Sequence, residues 1–355
     1  MPVPTRWVTA ARAEHRVPGP DALARAGQRV VYSYPGRTPP ENLLGDIRAG
    51  RAAGVIFFRD NYADPRQFAA TVRLLHDARL AGGVTEPLLL MTDQEGGPVR
   101  RLPGAPELSA RQVGRTDEPT GSAAAAGTAA GRNLAGFGLN VNLAPVLDVH
   151  DTPDDSIDHH ERSYGSDPAR VGALGGAFIR AQQREGIAAT AKHFPGLGAA
   201  PTRDNTDRRP VTLPLDAVTL RDVHVAPYRE AVDAGVRLVM LSWAVYPALD
   251  AHLPAGLSPA VVAGELRGRL GYRGVTITDA LEAGALRDHG STGERAVAAA
   301  AAGADVILCS GRDVAQGEEA TAALADALAS GRLDPAAFSA ATGRIRTLRA
   351  DLRRL

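Results

Sequence analysis

Ile187-Ala188-Ala189-Thr190-Ala191-Lys192-His193, with Phe194-Pro195-Gly196 after it, reads as a buried β-strand that ends on a charge. Small and β-branched residues fill both of its faces, as in a parallel strand covered on each side by helices. Pro195-Gly196 stops the run and opens a loop that reaches Asp204-Asn205-Thr206-Asp207. Lys192 is the only lysine in 355 residues, and every other one of the 40 basic residues is an arginine. In a chain so biased, a surviving lysine marks a place where a compact ammonium fits and a wide planar guanidinium does not. A cation and an imidazole at the end of a buried strand, followed by a long polar loop, point to a substrate site.

Seven more apolar runs resemble this one. They are residues 30–34, 54–58, 87–92, 139–146, 237–243, 274–279 and 305–310. Helical segments rich in alanine fill the gaps, at 64–81, 121–136, 167–185, 215–234, 258–270, 293–302 and 317–330, with a tail over 334–354. Pro227 predicts a break within the fourth of these. Eight alternating strand–helix units predict one (β/α)8 barrel of the TIM type over residues 1–355. Residues 1–25 are expected to form an N-terminal extension and 334–355 a C-terminal helix packed on the barrel. A doubly wound sheet is the runner-up, but no Gly-x-Gly-x-x-Gly follows the first strand.

Composition narrows the function. The formal net charge is +0 and no basic run is present, which argues against nucleic acid or a membrane surface as partner. Arg344, Arg346, Arg349, Arg353 and Arg354 are spaced as one solvated face of the final helix. The single cysteine, Cys309, lies in an apolar run and reads as a buried residue. His159-His160 reads as a solvated loop pair, no His/Cys/Asp/Glu spacing suggests a metal, and no cofactor is called for. No leader follows Met1-Pro2-Val3-Pro4 and no apolar run approaches a membrane span, so a cytoplasmic location is the expectation. Oligomeric state is not legible.

Barrel enzymes carry their chemistry where strands end. Here those ends hold Asp93-Gln94-Glu95-Gly96-Gly97, Asp148, Lys192-His193, Ser242-Trp243 and Asp279. The long connections add Glu161-Arg162-Ser163-Tyr164-Gly165-Ser166-Asp167-Pro168 and Asp204–Asp207. In order and spacing these motifs resemble glycoside hydrolase family 3, and within it the single-domain, NagZ-like β-N-acetylhexosaminidases. Gly54-Val55-Ile56-Phe57-Phe58-Arg59, Tyr246-Pro247-Ala248-Leu249-Asp250 and Leu257-Ser258-Pro259-Ala260 agree as well.

The resemblance implies a retaining hydrolase of terminal β-linked N-acetylglucosaminides, such as cell-wall or chitin-type fragments. Asp279 matches the family nucleophile, which forms a covalent glycosyl-enzyme. Asp93, Arg101, Arg162, Lys192 and His193 match residues that surround the sugar. One element departs from the family. The loop after the fifth strand normally carries Asp-Ser-His, whose histidine is the acid/base; here it reads Asp204-Asn205-Thr206. Leu197 and Trp243 replace two further family histidines. A threonine hydroxyl titrates too far from neutrality to serve. Asp204 or Asp207 is therefore the expected acid. The alternatives are a sugar-binding barrel with impaired catalysis and a phosphorylase in which phosphate replaces water.

Overall fold

The computed structural model describes residues 18–150 and 155–352, so residues 1–17 of the expected extension and Arg353 and Arg354 lie outside the described residues. Eight short parallel strands form one sheet: β1 (Val30–Tyr32), β2 (Gly54–Ile56), β3 (Leu89–Thr92), β4 (Val141–Asn142), β5 (Ala188–Phe194), β6 (Leu238–Leu241), β7 (Val275–Thr278) and β8 (Ile307–Leu308). Each pairs with its sequence neighbour, β1 pairs with β8, and an Ile277–Val306 bridge joins β7 to β8. The ring closes, and the barrel is the predicted one.

Every expected strand is present; seven are trimmed at one or both ends, while β5 loses Ile187 and gains Phe194. Pro145 lacks an N–H and interrupts the fourth ladder, which resumes at the Val146–Lys192 bridge. The helices Pro65–Ala81 and Pro168–Arg184 begin behind Asp64 and Asp167, whose carboxylates accept from the first free backbone N–H groups. The expected 215–234 helix is three pieces, Ala217–Thr219, a π-type turn Leu220–His224 and Pro227–Asp233, with the break at Pro227. The expected 258–270 helix is a π-type helix, Ala260–Arg269. Helices Pro20–Gly27 and Glu41–Arg48 were not anticipated, and the first takes in the end of the expected extension.

Ile56, Leu143, Met240 and Leu308 come from even-numbered strands or their ends and share one apolar cluster inside the ring. They make a solid floor, so the barrel is a packed core open only above that layer. At the opposite end the helix Pro335–Leu352 lies across the strand beginnings. Its Ile345 and Leu348 join the cluster that holds Val31, Leu89 and Val275.

That packing corrects the expectation of a solvated arginine face. Arg344 pairs with the wholly buried Asp305 at 2.7 Å, and Arg349 is 1% exposed and donates to the Pro87 and Glu86 carbonyls. Only Arg346 of the described three points outward. Arginines spaced along a helix can lay their stems on apolar surface and reach polar partners beyond it. No described helix is long and apolar enough to cross a membrane.

Candidate active site

Above the Ile56–Leu308 floor, at the C-terminal ends of the strands, opens a cavity of about 680 Å³. Asp93, Arg101, Arg162, Lys192, His193, Asp207 and Asp279 all line it. Asp204 does not: it is turned toward Arg209, with which it forms an ion pair. Seven of the eight expected site residues thus meet in one place.

The ammonium of Lys192 is central. It sits 2.7 Å from Asp93 and 2.7 Å from Glu95, and it is 2% exposed. Arg162 grips Glu95 through two hydrogen bonds of 2.9 and 2.8 Å, and Arg101 lies 3.8 Å from Asp93 on the open side. A charge buried this deeply persists only when paired. Burial alone would raise the carboxyl of Glu95, but Arg162 and Lys192 outweigh it and hold Glu95 far below the usual range. Asp93 is likewise held low, burial being overcome by Lys192 and Arg101. Burial also works against the Lys192 charge, yet Asp93 and Glu95 raise its affinity for the proton. Each of these three groups is biased toward its charged form.

His193 is oriented from behind. Its Nδ1 lies 2.7 Å from Asp148, a carboxylate fully enclosed behind the cavity wall. The backbone N–H groups of His193 and Leu197 donate to the same carboxylate at 3.2 and 2.7 Å. Together with His193 these donors hold Asp148 low against its burial. Nε2 of His193 is left on the cavity side, 3.5 Å from Arg162.

Asp279 follows β7 and takes a 2.8 Å hydrogen bond from the N–H of Ala280. Burial raises its affinity for the proton, His193 opposes that, and the negative charge of Asp207 reinforces it. Trp243, which stands where the family often has a histidine, is buried and donates its indole N–H to the Ala280 carbonyl at 2.8 Å. Leu197 is buried too. Neither of the replacements offers a titrating group.

The other carboxylates of the cavity are tied down. Glu282 accepts from the Ser310 hydroxyl at 2.7 Å, the Ser310 N–H at 3.3 Å and Gln316 at 3.1 Å. Asp93 and Glu95 are held by cations. Among the described residues, Asp207 alone of the carboxylates facing Asp279 has neither a cation nor a donor on its side chain.

Two residues of the network were not singled out as site residues in the sequence. Glu95 was visible inside the Asp93–Gly97 motif, and Asp148 at a strand end. What identifies them is three-dimensional: each balances a cavity residue from 45 or more positions away along the chain. His159 and His160 are exposed as expected, with His160 at the cavity rim. Cys309 is fully buried, and burial pushes its thiol up. Among the described residues no cluster of three or more His, Cys, Asp or Glu is arranged to hold a metal.

Residues 35–348 match the family description "Glycosyl hydrolase family 3 N terminal domain". The chain belongs to glycosyl hydrolase family 3. A protein of Arthroderma benhamiae described as an uncharacterized secreted glycosyl hydrolase is 44% identical over 94% of both chains. That relative overturns the cytoplasmic expectation, which rested on the lack of a visible leader and of a membrane-length apolar run. A beta-hexosaminidase of Nitrosomonas eutropha is 32% identical over 72% of each chain. Among solved structures, a family 3 β-N-acetylglucosaminidase of Paenibacillus sp. superposes with a TM-score of 0.87 at 34% identity. The match covers 93% of this chain and 62% of that one, so the chain spans under two thirds of that relative. A β-N-acetylhexosaminidase of Beutenbergia cavernae gives 0.81 at 33% identity, covering 93% and 98%. The chain is a family 3 glycosidase that resembles the β-hexosaminidases, with a barrel of the family's kind.

Proposed function

We propose that this family 3 glycosidase cleaves terminal β-linked N-acetylglucosaminides with retention, with Asp279 as nucleophile and Asp207 as acid/base. One observation carries the proposal: the unpaired Asp207 carboxylate shares a cavity with Asp279, beside a network of paired charges. Asp93 accepts hydrogen bonds from vicinal hydroxyls, while Lys192, Arg101, Arg162 and His193 surround the sugar oxygens.

In the first step Asp279 attacks the anomeric carbon as the glycosidic C–O bond breaks. Asp207 gives its proton to the departing oxygen. In the second, the Asp207 carboxylate takes a proton from water, whose oxygen bonds to the anomeric carbon and expels Asp279. The proton returns to Asp207 and the cycle closes. The N-acetyl preference is supported by the named relatives.

A panel of aryl glycosides with leaving groups of graded pKa tests the proposal. Wild type is expected to cleave the whole N-acetylglucosaminide series. Cleavage of the activated members alone would remove the acid from the scheme. Saturable sugar binding with no product from any member would leave a binding barrel, and dependence on added phosphate would make the enzyme a phosphorylase.

A further inference from the structure

The loop that carries Asp207 is joined to the loop that carries Asp279. After Asp279 the chain makes a short 3-10 turn, Gly284–Leu286. The Gly284 N–H donates to the Asp207 carbonyl at 2.8 Å, and the Ala285 N–H donates to the Thr206 carbonyl at 2.9 Å. These are two well-formed backbone hydrogen bonds between segments about eighty residues apart. Thr206 is buried by the contact while Asp207 next to it stays exposed to the cavity.

Gly284 makes that approach possible. A Cβ at this position would lie 2.3 Å from the Arg208 carbonyl oxygen and 2.4 Å from its carbon. Backbone atoms cannot give way as a flexible side chain can, so any larger residue displaces the 206–208 segment. The loop also has its own brace. The Asn205 side chain accepts from the Asp207 N–H at 2.8 Å, and the Asn205 carbonyl accepts from Arg208 and Arg209. The brace sets the shape of the loop, whereas the contact with residues 284 and 285 sets where it stands relative to Asp279.

We propose that the turn at Gly284–Ala285 is the latch that positions Asp207 over the cavity, Gly284 being a positioning residue for proton transfer. The inference rests on the assignment of Asp207 as acid/base. It explains how a carboxylate on a long loop can work without a partner residue: its distance from the nucleophile is set by main chain. Positioning of this kind matters because proton transfer demands hydrogen-bond reach.

The experiment compares Gly284→Ala, Ala285→Pro and Asp207→Asn on aryl N-acetylglucosaminides from dinitrophenyl to phenyl. Ala285→Pro removes the second donor without adding a Cβ at 284, and it serves if Gly284→Ala fails to fold. The expected result is that the latch variants acquire the steeper leaving-group dependence of Asp207→Asn. On the phenyl glycoside they should approach its loss, on the order of 10²-fold. Azide, which needs no base, is expected to speed turnover of both kinds of variant on activated substrates. In wild type, hydrogen exchange should show the 284 and 285 amides protected.

An impaired Asp207→Asn beside latch variants with the wild-type slope overturns the latch and leaves the acid assignment standing. An Asp207→Asn with the wild-type slope overturns both. Fast exchange of the two amides in wild type overturns the latch whatever the variants do.

Discussion

Both ends of this barrel bury charge, and they do so for different ends. At the closed end Asp305 is enclosed by Arg267 at 2.7 Å and Arg344 at 2.7 Å, while Arg29 donates to its carbonyl at 3.0 Å. Burial there pulls the Arg29 guanidinium down to about 10. At the open end Lys192 stands between Asp93 and Glu95 in much the same way. Each network encloses one nearly unexposed charge between two opposite ones at 2.7 Å. They differ in what surrounds them: the upper one lines a cavity beside two carboxylates, Asp279 and Asp207, that form no ion pair among the described residues. A buried ion network is therefore weak evidence of a site, and unpaired acid facing paired acid across open space is much better evidence.

The sharpest way to break this contrast is to remove charges from each end. Asp279→Ala should abolish turnover of every glycoside, activated or not, because no other group can form the covalent bond. Its folding should survive, since burial already disfavours the charged form of that carboxyl. Residual cleavage comparable to wild type would end the claim that the unpaired acids mark the chemistry. Asp207→Asn comes next, with a loss on the order of 10²–10⁴ on poor leaving groups and little on good ones. Thermal unfolding should hardly notice it, because the side chain is exposed and unpaired.

The paired charges should respond in the opposite sense. Asp305→Ala strands Arg267 and Arg344 without their partner and should cost about 3–5 kcal/mol in unfolding free energy. Activity per folded molecule should be unchanged, because Asp305 lies below the apolar floor of the cavity. Lys192→Met strands Asp93 and Glu95 and should cost a similar amount, about 3–5 kcal/mol. Unlike the Asp305 variant, it should also lose sugar affinity by calorimetry, and Lys192→Arg should not restore it. Equal catalytic damage from the two variants would erase the distinction between the ends.

The sequence showed the two ends unequally. The barrel was readable because strand–helix alternation recurs eight times and each strand is apolar on both faces. Most of the upper network was readable because strand-end residues fall in short motifs: Asp93 with Glu95, and Lys192 with His193. Asp207 and Asp204 looked equivalent as loop acids. Only the fold separates them, by turning Asp204 onto Arg209 and docking Asp207 against Gly284. The lower network was misread altogether. Periodicity placed Arg344 and Arg349 on a common face, but periodicity cannot say that the face covers the bottom of a barrel. The two π-type segments were equally invisible, since their spacing differs little from that of an α-helix over ten residues.

The subtlest effect separates the ends by pH. Glu95, Asp93 and Asp148 all have folded-state proton affinities below those of the unfolded chain. Each therefore contributes stability that is fully present above the unfolded values of roughly 3.9–4.3. That stability drains away as the pH falls toward the folded ones. Asp279 has the opposite sign: its folded affinity is raised, so protonating it on acidification relieves a cost. Three carboxylates outweigh one, and unfolding free energy should hold steady down to about pH 5 and decline below about pH 4. Activity should fail earlier than the fold, because the nucleophile must be ionised and its raised affinity carries the acid limb of the rate profile above the ordinary aspartate value. Denaturant melts and rate measurements across the same buffers would show the two declines apart. Their coincidence would mean that the upper network and the nucleophile titrate as one unit, and that the separation between paired and unpaired acid drawn from their geometry does not hold.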